Sequence, residues 1–214
     1  MAELWFVTGG ARSGKSRFAE ALASGSGRPV IYLATMEPLD DELVRRVAEH
    51  RASRPPEWRT VEEPRDPASA LAAADGEACV ILDCLSLWVS NLLVELGDDP
   101  SLDVVAELDR ELEAAVGRLL HAAAARSGKT IVVTNEVGAG VVPETPLGRA
   151  YRDLLGRVNQ RVAAAATRAW LLVAGRPLQH LIPDSGPFRR FLQKAPPIGM
   201  GRDQYAPGPF YGRL

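Results

Sequence analysis

Residues 9–16 read Gly9-Gly10-Ala11-Arg12-Ser13-Gly14-Lys15-Ser16 and fill every position of a GxxxxGK[ST] pattern. Each residue type has a task there. Glycines allow a tight turn in which successive backbone N–H groups point inward at phosphate oxygens. A helix starting at residue 15 adds the partial positive charge of its N-terminus. Lys15 would reach the β- and γ-phosphates of a nucleoside triphosphate, and the Ser16 hydroxyl could ligate Mg²⁺. The chemistry so encoded is triphosphate binding, and the pattern is silent on the second substrate.

Other chemistry-bearing residues lie at the ends of apolar runs. Asp83 closes Cys79-Val80-Ile81-Leu82-Asp83. A carboxylate at a strand's carboxyl end reaches a nucleotide directly or through Mg²⁺. Asn135 and Glu136 end a fourth run and precede Val137-Gly138-Ala139-Gly140. A polar pair with glycines directly after a buried strand reads as an active-site loop. His50 falls at the end of a helical stretch, three residues after Val47 and seven after Leu43, on its apolar side. Taken alone it reads as a packed or capping histidine. Arg45, Arg46, Arg51, Arg54 and Arg59 crowd it in sequence. Such arginines suit a polyphosphate ligand and would hold an imidazole neutral, as a nucleophile must be. His121 sits off the apolar stripe of its helix, and His180 falls in a proline-rich tail.

These residues need elements to hold them. Five short, mostly apolar runs occur at residues 4–8, 30–34, 79–83, 130–134 and 170–174. Continuous rather than alternating apolarity predicts strands buried on both faces of a parallel sheet. Helical spacing predicts helices over 15–23, 40–51, 85–96, 102–125 and 147–166, with Ser101 as a cap and a short helix at 67–74. The alternation predicts an α/β fold: an open, mostly parallel sheet with flanking helices and a phosphate loop, like that of P-loop nucleoside triphosphatases. Seven of the sixteen prolines lie beyond residue 175. The expected organisation is therefore a catalytic domain over 1–176. A proline-rich extension over 177–214 would pack on it or on a neighbouring subunit.

Composition narrows the class. A chain of 214 residues with 46% apolar content can build one α/β domain with a core. A net charge of −2 gives no basic footprint for nucleic acid. No apolar run is long enough to span a bilayer, and the start lacks a signal-peptide pattern. Cys79 and Cys84 read as reduced thiols, which points to the cytoplasm. No CxxC occurs and the three histidines are scattered, so a zinc site is not expected.

Several longer segments together resemble one family. They are GGARSGKSRFAEAL at 9–22, YLAT at 32–35, RVAEHRASRP at 46–55, WRTVEEP at 58–64, TNEVGAGVVPE at 134–144 and LGRAYRDLLGRVNQRVAAAA at 147–166. The series is similar to the bifunctional adenosylcobinamide kinase/adenosylcobinamide-phosphate guanylyltransferases of cobalamin biosynthesis, over roughly residues 4–176. The resemblance implies two reactions: phosphorylation of adenosylcobinamide by ATP or GTP, then transfer of GMP from GTP to adenosylcobinamide phosphate. It implies a guanylylated histidine at His50, with Lys15 as the second catalytic residue. It also implies nucleotide contacts at Gly9, Gly10, Ala11, Arg12, Ser13, Gly14, Lys15, Ser16, Thr35, Met36, Glu37, Arg51, Ala52, Ser53, Arg54, Glu62 and Asp83. Ser16 and Asp83 would be the Mg²⁺ ligands. Either Glu62 or Asp83 could accept both the N1–H and the N2–H₂ of guanine. The family fold implies a homo-oligomer, a trimer. Some members carry a second histidine where this chain has Glu49.

Two other readings use fewer of these residues. A single-activity kinase for a small metabolite needs the phosphate loop but not His50. A regulatory GTP-binding module needs neither transfer step. A further expectation is geometric: without ligand, the side-chain nitrogens of His50 and Lys15 should stand more than about 8 Å apart, too far for direct attack. GTP would then draw residues 40–54 inward.

Overall fold

The computed structural model describes residues 2–37 and 54–180. Among these, seven strands form one sheet: β1 (Glu3–Gly9), β2 (Val30–Ala34), β3 (Arg59–Glu62), β4 (Cys79–Asp83), β5 (Lys129–Val133), β6 (Arg168–Val173) and β7 (Arg176–His180). Their order across the sheet is β3-β2-β4-β5-β1-β6-β7. All neighbours are parallel except β6 and β7. The central strands are the expected ones, and their apolarity explains their place. Cys79, Val80, Ile81 and Leu82 of β4 are all fully buried, which only a strand covered on both faces requires.

Alternation sorts side chains to two layers. Trp5, Val7, Val30, Tyr32, Cys79, Ile81, Ile131 and Val133 face α1 (Lys15–Ser24), which contributes Ala19 and Ala23. Leu4, Phe6, Ile31, Leu33, Val80, Leu82 and Val132 face the opposite layer. That layer holds α2 (Pro67–Ala73), α3 (Leu85–Val94), α4 (Leu102–Ala124) and α5 (Pro146–Ala165). Local chemistry fixes the helix starts. The Ser101 hydroxyl accepts from the Val104 N–H, as expected, and Thr145 accepts from Gly148. Asp66 caps α2, with Pro67 in its first turn. Leu108, Leu112, Ala115, Val116 and Leu119 form the buried stripe of α4. Ion pairs from Arg157 to Asp109 and from Arg161 to Glu113, each 2.8 Å, tie α5 to α4.

The two outermost strands extend the expected sheet of five. β3 is a short, half-exposed edge strand beside β2, and its Arg-Thr-Val-Glu sequence carries no apolar run. β7 lies within the expected irregular tail. Ala174 and Gly175, with φ of 49° and 77°, turn the chain back on β6, the conformation that two-residue hairpin turns favour. Pro177 is accommodated because β7 is an edge. The sheet thus continues past residue 176 to His180. The expected helix over 40–51 lies outside the described residues, as does the chain beyond 180.

Arg126, just past α4, is 6% exposed. Its guanidinium donates to the carbonyls of Leu71, Ala74, Asp75 and Ala78 at 3.2, 3.2, 2.8 and 2.9 Å. It closes the orphan carbonyls at the end of α2 and joins that end to the approach of β4.

Candidate active site

The phosphate loop connects β1 to α1, and its conformation follows from its glycines. A Cβ on Gly9 would lie 2.5 Å from the Leu172 carbonyl oxygen of β6. Only glycine lets the two backbones approach so closely. Gly14 is left-handed, with φ of 95°, and caps α1 without a side-chain hydrogen bond. The first turn of α1 holds no acidic residue, so its N–H groups and partial charge stay available to an anion. Gly10, Ala11 and Arg12 are exposed, while Ser16 is half-buried. Ser13 is 8% exposed, and its hydroxyl is buried with no hydrogen-bond partner in the chain. An orphaned buried hydroxyl inside a phosphate loop fits a ligand oxygen.

Lys15 is also 8% exposed, and its Nζ donates to the Gly10 carbonyl at 2.6 Å. Burial pushes its pKa down from the ordinary lysine value, opposed by the Asp83 charge nearby. The loop is stitched to both neighbours. The Gly175 N–H donates to the Ser13 carbonyl at 2.9 Å, and the Glu136 N–H donates to the Gly9 carbonyl at 3.1 Å.

The expected polar pair at the end of β5 therefore stands beside the loop. Thr134 donates from its hydroxyl to Asn159 Oδ1 at 2.7 Å, and Asn159 Nδ2 donates to the Asn135 carbonyl at 3.0 Å. Asn159, on α5, positions the β5 exit, a role its place in the NQR segment did not reveal. Glu136 is exposed, and its carboxylate accepts the Gly138 N–H at 2.7 Å.

Asp83 ends β4 at the same carboxyl edge. The Tyr32 hydroxyl donates to its Oδ2 at 2.5 Å. Burial pushes the Tyr32 phenol far above its ordinary pKa, and the Asp83 charge and hydrogen bond push the same way, so the phenol keeps the proton it donates. The guanidinium carbon of Arg54 lies 3.4 Å from the centre of the Tyr32 ring. Arg54 Nη1 donates to the Thr60 hydroxyl at 3.3 Å, while its Nε is buried without a partner.

Thr35 is fully buried, and the Asp83–Cys84 peptide beside it is cis. Its N–H donates to the Asp83 carbonyl, its hydroxyl bonds both the N–H and the carbonyl of Cys84, and its carbonyl accepts from Asn91. Thr35 thus clamps β2 to β4 and turns its hydroxyl into the sheet. Met36 and Glu37 are half-buried, and Glu37 pairs with Arg65 at 3.1 Å.

Glu62 closes the edge strand β3 and is exposed. Ala34 is the register partner of both Glu62 and Asp83. The two carboxylate-bearing positions therefore flank β2 at one level, about 10 Å apart by two strand spacings. Asp83 lies on the inner side, where its charge acts on Lys15, and Glu62 stands at the outer end. His50, Arg51, Ala52 and Ser53 lie outside the described residues, and with them the expected His50–Lys15 separation. Among the described residues no group of three or more His, Cys, Asp or Glu side chains could hold a metal ion. No helix among them is long and apolar enough to cross a membrane.

A phosphate loop, an uncapped helix start and a carboxylate on one edge of a parallel sheet define a nucleotide-binding α/β protein. Comparison with known proteins makes this specific. Over residues 5–180 the chain matches, and belongs to, the CobU family, described as cobinamide kinase / cobinamide phosphate guanyltransferase. It is 46% identical over 173 residues to the bifunctional adenosylcobalamin biosynthesis protein CobU of Salmonella typhimurium, covering 79% of this chain and 94% of that one. It is 44% identical to the Escherichia coli protein of the same name, over 79% of this chain and 94% of the relative. It is 47% identical to the bifunctional adenosylcobalamin biosynthesis protein CobP of Pseudomonas aeruginosa, over 80% and 94%.

Proposed function

We propose that this chain carries out both reactions of its family at the phosphate-loop edge of the sheet. In the first, the hydroxyl of adenosylcobinamide attacks the γ-phosphorus of ATP or GTP. The bond to the β-phosphate oxygen breaks, the hydroxyl proton is lost, and the nucleoside diphosphate leaves. In the second, the neutral imidazole of His50 attacks the α-phosphorus of GTP. A P–N bond forms, the bond to the bridging oxygen breaks, and pyrophosphate leaves. A phosphate oxygen of adenosylcobinamide phosphate then displaces the histidine and gives adenosylcobinamide-GDP.

The roles follow the residues. Lys15 and the N–H groups of residues 9–16 hold the phosphates and the charge that moves between them. Arg51 and Arg54, with Ala52 and Ser53 between them, would frame the α-phosphate beside His50. Thr35, Met36 and Glu37 would wall the site where β2 ends. One of the two carboxylates flanking β2, Glu62 or Asp83, would accept guanine N1–H and N2–H₂, and the GTP-to-ATP preference of Glu62→Gln and Asp83→Asn identifies which. Ser16 and Asp83 offer oxygen donors that suit a hard cation such as Mg²⁺. Bound there with the phosphates, Mg²⁺ would neutralise part of their charge.

The observation that carries this reading is the phosphate loop, whose buried lysine folds onto Gly10 and whose helix start has no side-chain cap. Family membership over residues 5–180 supports the choice of substrates. The reading includes a cytoplasmic location, which suits free thiols at Cys79 and Cys84, and a homo-oligomer, a trimer, which the family resemblance implies. The proline-rich extension would pack on the domain or a neighbouring subunit. Incubation with adenosylcobinamide, GTP and Mg²⁺, followed by mass spectrometry, tests the whole. The phosphate and then the GDP derivative should appear. A phosphate alone would favour a single-activity kinase, and neither product would favour a nucleotide-binding module.

A further inference from the structure

Tyr32 joins two parts of the site that come from different segments. Its hydroxyl donates to Asp83, fifty-one residues away in sequence, at 2.5 Å. Its ring carries the Arg54 guanidinium at 3.4 Å. The side chain is 3% exposed and stands among the aliphatic Val30 and Ile81 on the α1 face of the sheet. Packing there needs bulk but no hydroxyl. A buried hydroxyl is retained without cost only where it has a partner, and the partner here is the carboxylate whose charge acts on Lys15.

Arg54 rests on the face of the same ring. Its described hydrogen bond, to Thr60, is long at 3.3 Å, and its Nε is buried without a partner. Stacking on Tyr32 therefore helps to set where this guanidinium sits. Arg54 follows His50 by four residues. One tyrosine thus registers both the Asp83 carboxylate and the Arg54 guanidinium.

We propose that Tyr32 is a positioning residue that couples Asp83 to Arg54, so that a nucleotide bound at this edge of the sheet meets the carboxylate and the guanidinium as one unit. The inference rests on the bifunctional reading above for the nucleotide that these two groups would meet. It requires energetic coupling between Asp83 and Arg54, carried by the tyrosine hydroxyl.

The test is a set of mutant cycles read by the Kd of a fluorescent N-methylanthraniloyl-GTP, measured by binding alone. Asp83→Asn and Arg54→Leu are made singly and together, in the wild-type and in the Tyr32→Phe background. Phenylalanine keeps the ring under Arg54 and removes the hydrogen bond. In the wild-type background the combined effect should depart from the product of the single effects by about fivefold or more, and in Tyr32→Phe by less than about twofold. Additivity in the wild-type background, or equal coupling in both, would overturn the proposal. If Tyr32→Phe does not fold, Tyr32→His, which keeps a ring and removes the phenol, serves as the second background with the same two outcomes. Coupled binding in a protein that forms no His50 adduct would reject the bifunctional reading while leaving the coupling standing.

Discussion

Lys15 Nζ donates to the carbonyl oxygen of Gly10, five residues earlier, at 2.6 Å. The lysine is folded back onto its own loop, so its buried charge has a partner before any phosphate arrives. A triphosphate entering the loop would replace that carbonyl with a fully charged acceptor, and a charge-assisted bond is roughly twice as strong as one to a neutral acceptor.

Lys15→Ala should lower both the kinase and the guanylyl-transfer rates by a factor on the order of 10² or more. Steady-state assays of each reaction, with circular dichroism as the folding control, check this. An unchanged kinase rate would remove the loop from the chemistry.

The lowered pKa of Lys15 also has a sign. Burial makes the ammonium easier to deprotonate than an ordinary lysine, whose pKa is 10.5. Triphosphate affinity, which needs the charged form, should therefore weaken as pH rises through a point below 10.5. Lys15→Arg should give a flat profile over the same range, because guanidinium stays protonated. The linkage to stability runs the other way. A lysine with a depressed folded-state pKa burdens the fold while both states are charged, and that burden lifts as pH rises between the folded value and 10.5. Titrating Kd against pH for both proteins decides the affinity, and the urea midpoint against pH decides the stability.

Arg126→Met should destabilise the fold by about 2–3 kcal/mol, because it leaves the carbonyls of Leu71, Ala74, Asp75 and Ala78 without their donor. The urea midpoint should fall with little change in slope. Arg126→Lys should recover only part of the loss, since one ammonium cannot reproduce the planar fork.

The parts of this molecule legible in its sequence are those whose causes are local. β4 announces itself because Cys79, Val80, Ile81 and Leu82 are buried on both faces. The phosphate loop is legible because glycine, lysine and serine do separate jobs at fixed offsets. Ser101 caps α4 for a reason contained within four residues. β3 and β7 were hidden because an edge strand needs neither continuous apolarity nor freedom from proline. Tyr32, Asn159 and Arg126 were missed for another reason. Each acts on groups that only the fold brings near: Asp83, Thr134 with Asn135, and the end of α2. In sequence Tyr32 is one more apolar residue in a strand, and Arg126 one more basic residue after a helix.

The claim at the centre of this account is that GMP passes through His50. Incubation with α-³²P-labelled GTP and Mg²⁺, without cobinamide phosphate, followed by a denaturing gel, tests it most directly. Wild-type protein should retain label that is lost in acid and kept in base, as a phosphoramidate behaves. His50→Ala should fold, bind GTP and carry no label. Label of the same lability and amount on His50→Ala would contradict the account.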